Sequence, residues 1–549
     1  MKRYAGIILS LAMLLSFFIP DASVHSQADS KVKSLYVDNQ VIVKFKEDSN
    51  VGIAAERVAG TLLPSRALVA EPITSAEAGG TFLLQLDNGI SVEEAVAEIS
   101  SNPAVEYAEP NYLIYPQATT PNDTYFYEQW GLFNNGRPGA DIGATRVWDI
   151  TQGSQDVVVA VVDTGADLSH PDLAPNAWVN AGEVAGNGVD DDRNGFVDDI
   201  NGWNFLSNNN RLVINSDEDF HGTHVSGTIG ASGNNGTGVS GVAWHVKLMS
   251  LKFIGDESGS TADAVRAINY AIDQRRKGVN VRVINASWGG SGGSAALQSA
   301  ISAAGQAGIL FVNSAGNGGD DSVGDNIDDQ PDYPAAWSSS MTSLIAVAAL
   351  DSEDRLASFS NYGLRNVSVG APGVRVLSTL VGGGYGFASG TSMAAPHVSG
   401  IAALIWSREP SLTPAQVKQR IIATGDPVSS LASKTTNPAR ANAYNAISNN
   451  TPTAPSLGVG GVKANKKVLT VDGLGFVRNS TVVEVNGVAL SGTKYDGAYE
   501  LSNGTLTRLT VKLGKANMNQ IVPRGVPVTI TVMDRNTGAR SSGYLYVRN

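Results

Sequence analysis

The chain has 549 residues, too many for one ordinary domain, and 42% of them are hydrophobic, ample for packed cores. A net charge of −12 argues against nucleic acid or an anionic membrane as the main partner and suits a protein that holds cations. With no cysteine there is neither a disulfide framework nor thiolate chemistry, so stability falls to packing and bound ions.

In chain order, the first feature is an export pattern. Lys2 and Arg3 form a basic start, residues 5–19 an apolar run, and small residues follow at Val24, Ser26 and Ala28, so residues 1–28 read as a cleavable signal peptide. The run is short of the ~20 residues that span a bilayer, and no later segment is apolar for long enough. Residues 34–116 read as a small α+β unit. Val41, Val43 and Phe45 alternate as in a strand, Thr81–Leu86 is a second strand, and Ser91 with Glu94 makes a capping box ahead of Val96 and Ile99.

From 119 to 448, short β-branched runs at 157–162, 281–285, 309–313 and 344–348 lack polar alternation, as expected of parallel strands buried on both faces. Between them Thr261–Arg276 is amphipathic, with Val265, Ile268 and Ile272 at helical spacing and Thr261 expected as its cap. The alternation predicts an α/β fold with a doubly wound, mostly parallel sheet. Asp163 would end its strand at the carboxyl edge, where such sheets place their ligands. A linker at 449–462 leads to residues 463–549, whose alternating Val468/Thr470, Val483/Val485, Leu509/Val511 and Val528/Ile530/Val532 predict a small β-sandwich. It is either a binding module or a structural appendage. An exposed cluster among Phe476, Tyr495, Tyr499, Tyr544 and Tyr546 would favour binding, but these could equally be core.

Four motifs carry chemistry: VVVAVVDTG with Asp163, DFHGTHVSGT with His221, NSAGNGG with Asn317, and ASGTSMAAPHVSG with Ser392. Ser392 precedes an apolar helical run through Val398, Ile401 and Leu404, so its hydroxyl would sit at a helix N-terminus, which favours developing negative charge. A serine hydroxyl also needs a base within hydrogen-bond reach. The order Asp–His–Ser and these motifs resemble the subtilisin-like serine endopeptidases, and the resemblance covers residues 34–448. It implies that Ser392 is the nucleophile, His221 the general base, Asp163 its orienting partner and Asn317 an oxyanion donor, with His224 structural. Ser287, Trp288 and Gly289 would pair with an extended peptide and wall its primary pocket, with Ser258, Gly259 and Ser260 opposite. Residues 34–116 would be a propeptide that assists folding and inhibits the enzyme until cleavage near 117–120.

Asp190, Asp192, Asn194, Asp198 and Asp199, bent at Gly195, alternate hard oxygen ligands as in a calcium loop. Asn201 stands where the closing Glu would be. By resemblance, a second structural calcium would lie among Asp123, Asp172, Asn235, Thr237 and Val239. An acidic stretch of Asp320, Asp321, Asp325, Asp328, Asp329 and Asp332 either lines the primary pocket and favours Lys or Arg, or is a solvated or cation-binding loop. The expectation is a secreted, calcium-stabilised, monomeric zymogen acting on polypeptides, with no nucleic-acid or membrane partner. The rival is a non-catalytic adhesion or scaffold protein on the same fold.

Overall fold

The computed structural model describes residues 36–46, 67–73, 80–86, 90–112, 119–255, 258–319, 321–452, 457–477, 480–495, 506–535, 540–541 and 543–548. The expected export segment lies outside them. The chain divides into two compact units, residues 12–117 and, apart from a short N-terminal stretch, residues 118–549.

The first unit is a four-stranded antiparallel sheet in the order β2–β3–β1–β4, from β1 (Tyr36–Phe45), β2 (Ala67–Pro72), β3 (Thr81–Leu86) and β4 (Val105–Tyr112). Val41, Val43, Phe45, Phe82, Leu84 and Leu86 alternate inward and meet Val92, Ala95 and Ile99 of helix α1 (Val92–Ser100). Ser91 caps α1, and both arms of the capping box with Glu94 are formed.

The second unit is built on a nine-stranded sheet. Its strands are β5 (Gly153–Asp163), β6 (Gly202–Asn204), β7 (His245–Lys252), β8 (Val281–Ala286), β9 (Leu310–Ser314), β10 (Leu344–Leu350), β11 (Val369–Pro372), β14 (Asp426–Pro427) and β15 (Ala439–Arg440). The order is β14–β15–β11–β10–β9–β8–β5–β7–β6, parallel except between β14 and β15. A hairpin, β12 (Val376–Leu380) with β13 (Gly384–Ala388), stands apart from it.

Strand β5 shows why polar alternation was missing. Val159 and Val161 face a core shared with Val225 and Ile229 of α3 (Ser216–Gly230) and Val398 and Ile401 of α6 (Thr391–Arg408). Val158, Ala160 and Val162 face a second core, with Ile268 and Ile272 of α4 (Thr261–Arg276) and Leu297 and Ile301 of α5 (Ala295–Gln306). Both faces are covered, so both sets are apolar. The N-cap of helix α4 lies one residue earlier than expected. Ser260 is the N-cap, its hydroxyl accepting from the Asp263 N–H, and Thr261 is the first helical residue.

The C-terminal part is a sandwich of two antiparallel four-stranded sheets around Leu469, Val471, Val483, Leu509, Ile530 and Val532. Its first strand, Gly458–Ala464, begins inside the stretch read from sequence as linker. A helix at Gly514–Ile521, not expected from the strand pattern, adds Met518 to the core. Phe476 is buried, and Tyr544 and Tyr546 pack against the core from its margin. Tyr499 lies outside the described residues.

Candidate active site

Asp163 ends β5 at the carboxyl edge and is fully buried. His221 comes from the first half of α3, which crosses that edge so closely that a Cβ on Gly222 would collide with the Gly165 carbonyl. The Gly222 N–H donates to Thr164 Oγ1 (3.0 Å), fixing the helix to the strand end. His221 Nδ1–H donates to Asp163 Oδ1 at 2.7 Å, and the Thr164 N–H donates to the same oxygen. Burial alone would depress the imidazolium, but the Asp163 charge and hydrogen bond outweigh it and hold the His221 pKa above its ordinary value. His221 keeps 21% of its side chain exposed, so its far nitrogen is open to a substrate.

Beneath this pair lies a group that the motifs did not indicate. Lys252 ends β7 directly opposite Asp163 in register and is fully buried. Its ammonium donates to the Thr164 carbonyl, to Glu218 Oε1 (2.6 Å), to Asp219 Oδ1 (2.8 Å) and to the Ile254 carbonyl. One cation thus ties the segment after Asp163 to the first turn of the His221 helix. Lys252→Met leaves two carboxylates without their cation, and its expected cost is about 3–5 kcal/mol. Chemical denaturation in a Ser392→Ala background, free of autolysis, measures it; a loss below ~1 kcal/mol contradicts the account.

Ser392 is the second residue of α6, so its N–H is among those with no intrahelical acceptor. Gly390 offers no side chain as cap, and Asn317, from the loop after β9, does that work. Its side-chain carbonyl accepts from the Thr391 N–H (2.8 Å) and the Thr391 hydroxyl (2.9 Å), and its NH₂ group lies, like the Ser392 N–H, beside Gly390. Pro396 cannot donate to the Ser392 carbonyl four residues back, and the Ser287 hydroxyl takes that place (2.9 Å). Ser392 Oγ itself donates to the Ser287 carbonyl (3.0 Å) rather than to His221. One χ1 rotation redirects it, and catalytic hydrogen bonds often tighten only when substrate is bound.

The segment 287–289 is held from below, Trp288 Nε1–H donating to the Val162 carbonyl and Asn313 Nδ2 to the Trp288 carbonyl. Gly289 is exposed at its end. The opposite segment is less regular than expected. Ser258, Gly259 and Ser260 are exposed, Gly259 makes one isolated bridge to Ile254, and Ser260 is occupied in capping α4. His224 points elsewhere. Its Nε2 bonds the Val376 and Gly386 carbonyls, and burial depresses its pKa to about 4.

The first acidic loop is divided by the structure. Asp192 and Asp199 gather with Glu183, their ligand oxygens within 4.8 Å of one another. Asn194 joins them through its amide, which contacts both aspartates. Asp190 turns instead to the N–H groups of Asn194 and Gly195, and Asp198 to those of Asn187 and Gly188. Glu183 was missed because it stands outside the alternating pattern. Burial, with the Asp192 charge adding to it, raises the Asp199 pKa against donors from Tyr270, Asn180 and Asn194, and Asp192 Oδ1 is buried without a partner. The Lys277 ammonium stands 3.4 Å from Asp192 Oδ2 but leaves Oδ1 unpaired, and this three-carboxylate set of hard oxygens with one oxygen orphaned fits a calcium ion.

Asp123, Asp172 and the 235–239 loop also converge, but here every carboxylate oxygen has a donor. Asp123 accepts from the N–H groups of Asn234 and Asn235 and the Ser240 hydroxyl. Asp172 accepts from Asn235 Nδ2, the Val239 N–H and the Tyr385 hydroxyl. The Thr237 N–H donates to Asn235 Oδ1.

Residues 154–461 match the subtilase family of peptidases, and residues 22–111 match the fervidolysin N-terminal prodomain. The chain is 34% identical over 465 residues to the thermophilic serine proteinase of Bacillus sp. (strain AK1), covering 81% of this chain and 100% of that one. It is 35% identical over 330 residues to thermitase of Thermoactinomyces vulgaris, covering 60% of this chain and 99% of that protein. With the extracellular basic protease of Dichelobacter nodosus it shares 35% identity over 350 residues, 59% of this chain and 55% of that one. Motif order, a doubly wound sheet, an Asp–His pair at its carboxyl edge and similarity over the whole length of a serine proteinase converge on one conclusion: the chain belongs to the subtilase family and is a subtilisin-like serine endopeptidase with an N-terminal prodomain.

Proposed function

We propose that Ser392, His221, Asp163 and Asn317 carry out peptide-bond hydrolysis through an acyl-enzyme. The observation that carries this is the 2.7 Å bond between His221 and a fully buried carboxylate, at the edge where Ser392 also emerges. Ser392 Oγ attacks the substrate carbonyl carbon while His221 Nε2 takes its proton. Asp163 holds the Nδ1–H tautomer and stabilises the imidazolium. The carbonyl oxygen, now an oxyanion, is met by the Asn317 NH₂ and the Ser392 N–H at the helix start. His221 then returns the proton to the departing amine, and water repeats the sequence to release the acid. The segments 287–289 and 258–260 flank the cleft and suit an extended polypeptide. A fluorophosphonate probe tests the assignment: it labels wild type and not Ser392→Ala, and equal labelling of both would show a misplaced nucleophile.

Calcium is proposed at Glu183, Asp192 and Asp199, with Asn194 beside them. When bound, it neutralises three clustered carboxylates and stabilises the folded state alone, by about 2.7 kcal/mol at a hundredfold excess over Kd. A second ion at Asp123, Asp172, Asn235, Thr237 and Val239 follows from the resemblance, and the convergence of these residues supports it. Chelation is expected to lower the Tm of wild type and to lower it less in Asp192→Asn. Superimposable melting curves with and without chelator would remove the claim.

The residue 1–28 pattern supports secretion, and a matched relative is named an extracellular protease. Among the described residues no helix is long and apolar enough to cross a membrane. The prodomain match supports inhibition by residues 34–116 until they are cleaved, and a monomeric mature enzyme completes the proposal.

A further inference from the structure

The six aspartates of 320–332 do not share one environment. Asp320 lies outside the described residues. Asp321 closes its own turn on the Val323 N–H, Asp328 accepts from the Arg365 and Asn366 N–H groups, and Asp329 accepts from Asn326 Nδ2. Asp332 is different. Its Oδ1 is buried with no hydrogen-bond partner, and its Oδ2 has only a long contact from Asn361 Nδ2 (3.4 Å).

Its position gives this meaning. A Cβ on Gly289 would fall 2.5 Å from Asp332 Oδ1, and a Cβ on Gly316 would fall 2.5 Å from Oδ2. The carboxylate therefore lies between two backbone walls that only glycine leaves open. One wall continues into Trp288 and Ser287, whose carbonyl holds Ser392 Oγ; the other continues into Asn317. The bridge between Gly290 and Tyr333 closes the far side. A side chain entering from the scissile position between these walls meets the carboxylate at their end.

Leaving a carboxylate oxygen buried and unpaired is costly, and such a group calls for a partner that the free protein lacks. Burial, with Asp325 adding its charge, outweighs the nearby Gly290 N–H, which is already spent on the Tyr333 carbonyl, and pushes the Asp332 carboxyl up to about 6, in keeping with a site short of positive charge. Among the described residues no third acidic or histidine ligand gathers there to suggest a metal. We propose that Asp332 forms the floor of the primary specificity pocket and selects a lysine or arginine on the acyl side of the cleaved bond. The proposal rests on the reading of Ser392 as nucleophile.

The test uses mature enzyme processed from the full chain and matched peptide substrates ending in Arg, Lys, Phe, Leu or Glu before a chromogenic leaving group. In wild type, kcat/KM for Arg and Lys is expected to exceed that for Phe by at least about tenfold, with benzamidine a competitive inhibitor. In Asp332→Asn the Arg-to-Phe ratio falls by about thirtyfold or more, the low end of the range for removing one member of a desolvated charge pair. A ratio unchanged in Asp332→Asn, or a wild type that prefers Phe or Leu and ignores benzamidine, overturns the inference. The wild-type arms decide it even if the variant does not fold. Fluorophosphonate labelling with casein cleavage but no basic preference sinks this inference alone; no labelling sinks the assignment of Ser392 as well.

Discussion

Ser392→Ala is expected to reduce kcat by about 10⁶, the size known for the matching change in a related enzyme rather than one derived from this geometry. The variant should fold. Ser392 Oγ makes one hydrogen bond, to the Ser287 carbonyl, and the α6 start is held through Thr391 and Asn317, which the change does not touch. Autoprocessing should fail with it, so the purified variant retains residues 34–116 while wild type loses them. Mass spectrometry of both proteins reads this directly. A Ser392→Ala chain that matures by itself would mean that another group performs the cleavage. Asn317→Ala should be milder, about 10²–10³ in turnover from the lost oxyanion donor, since the Ser392 N–H remains; it also removes the cap on Thr391, so its melting temperature is to be measured beside its turnover.

Asp163→Asn is the second large effect, about 10⁴ in kcat, the size known for the matching change in another serine protease. Its signature is in the pH profile. The base must be neutral, so activity falls as pH drops through the His221 pKa. In wild type that pKa is raised above 6.5, because the Asp163 charge and hydrogen bond overcome burial, and the acid limb should have its midpoint above 6.5. In Asp163→Asn burial acts without the opposing charge, and the midpoint should move below 6.5. Linkage gives a matching sign for stability. The raised pKa contributes stability that is full below pH 6.5 and is lost as pH rises through the folded value. An acid limb that stays in place in the variant would show that Asp163 does not set the His221 proton affinity.

The four long motifs, the chain order and the propeptide's capping box were legible because each is local. A helix start, a strand end or a turn is written in neighbouring residues. The strands at 157–162 and 344–348 were visible as apolar runs, since both faces of the sheet are covered and no residue there needs water. The sequence did not reveal which faces pack, and so it missed residues whose role depends on a distant partner. Lys252 is an ordinary strand-end lysine until Glu218 and Asp219 are folded over it, and only then does a buried cation become affordable.

The same reason governs the acidic residues. Spacing along the loop suggested Asp190, Asp192, Asn194, Asp198 and Asp199 as ligands; the fold draws Asp192 and Asp199 together with Glu183, which stands outside the pattern, while the Asp190 and Asp198 carboxylates meet other backbone amides of the loop. Among the aspartates of 320–332 composition could not single out one. Asp332 becomes distinct through two glycines, 43 and 16 positions before it, that admit its carboxylate between them. The sequence by itself determined the reaction class and the order of the working parts, because short motifs encode them. The tertiary structure alone decided which charges are buried together, because burial is a property of what the fold places on every side of a group.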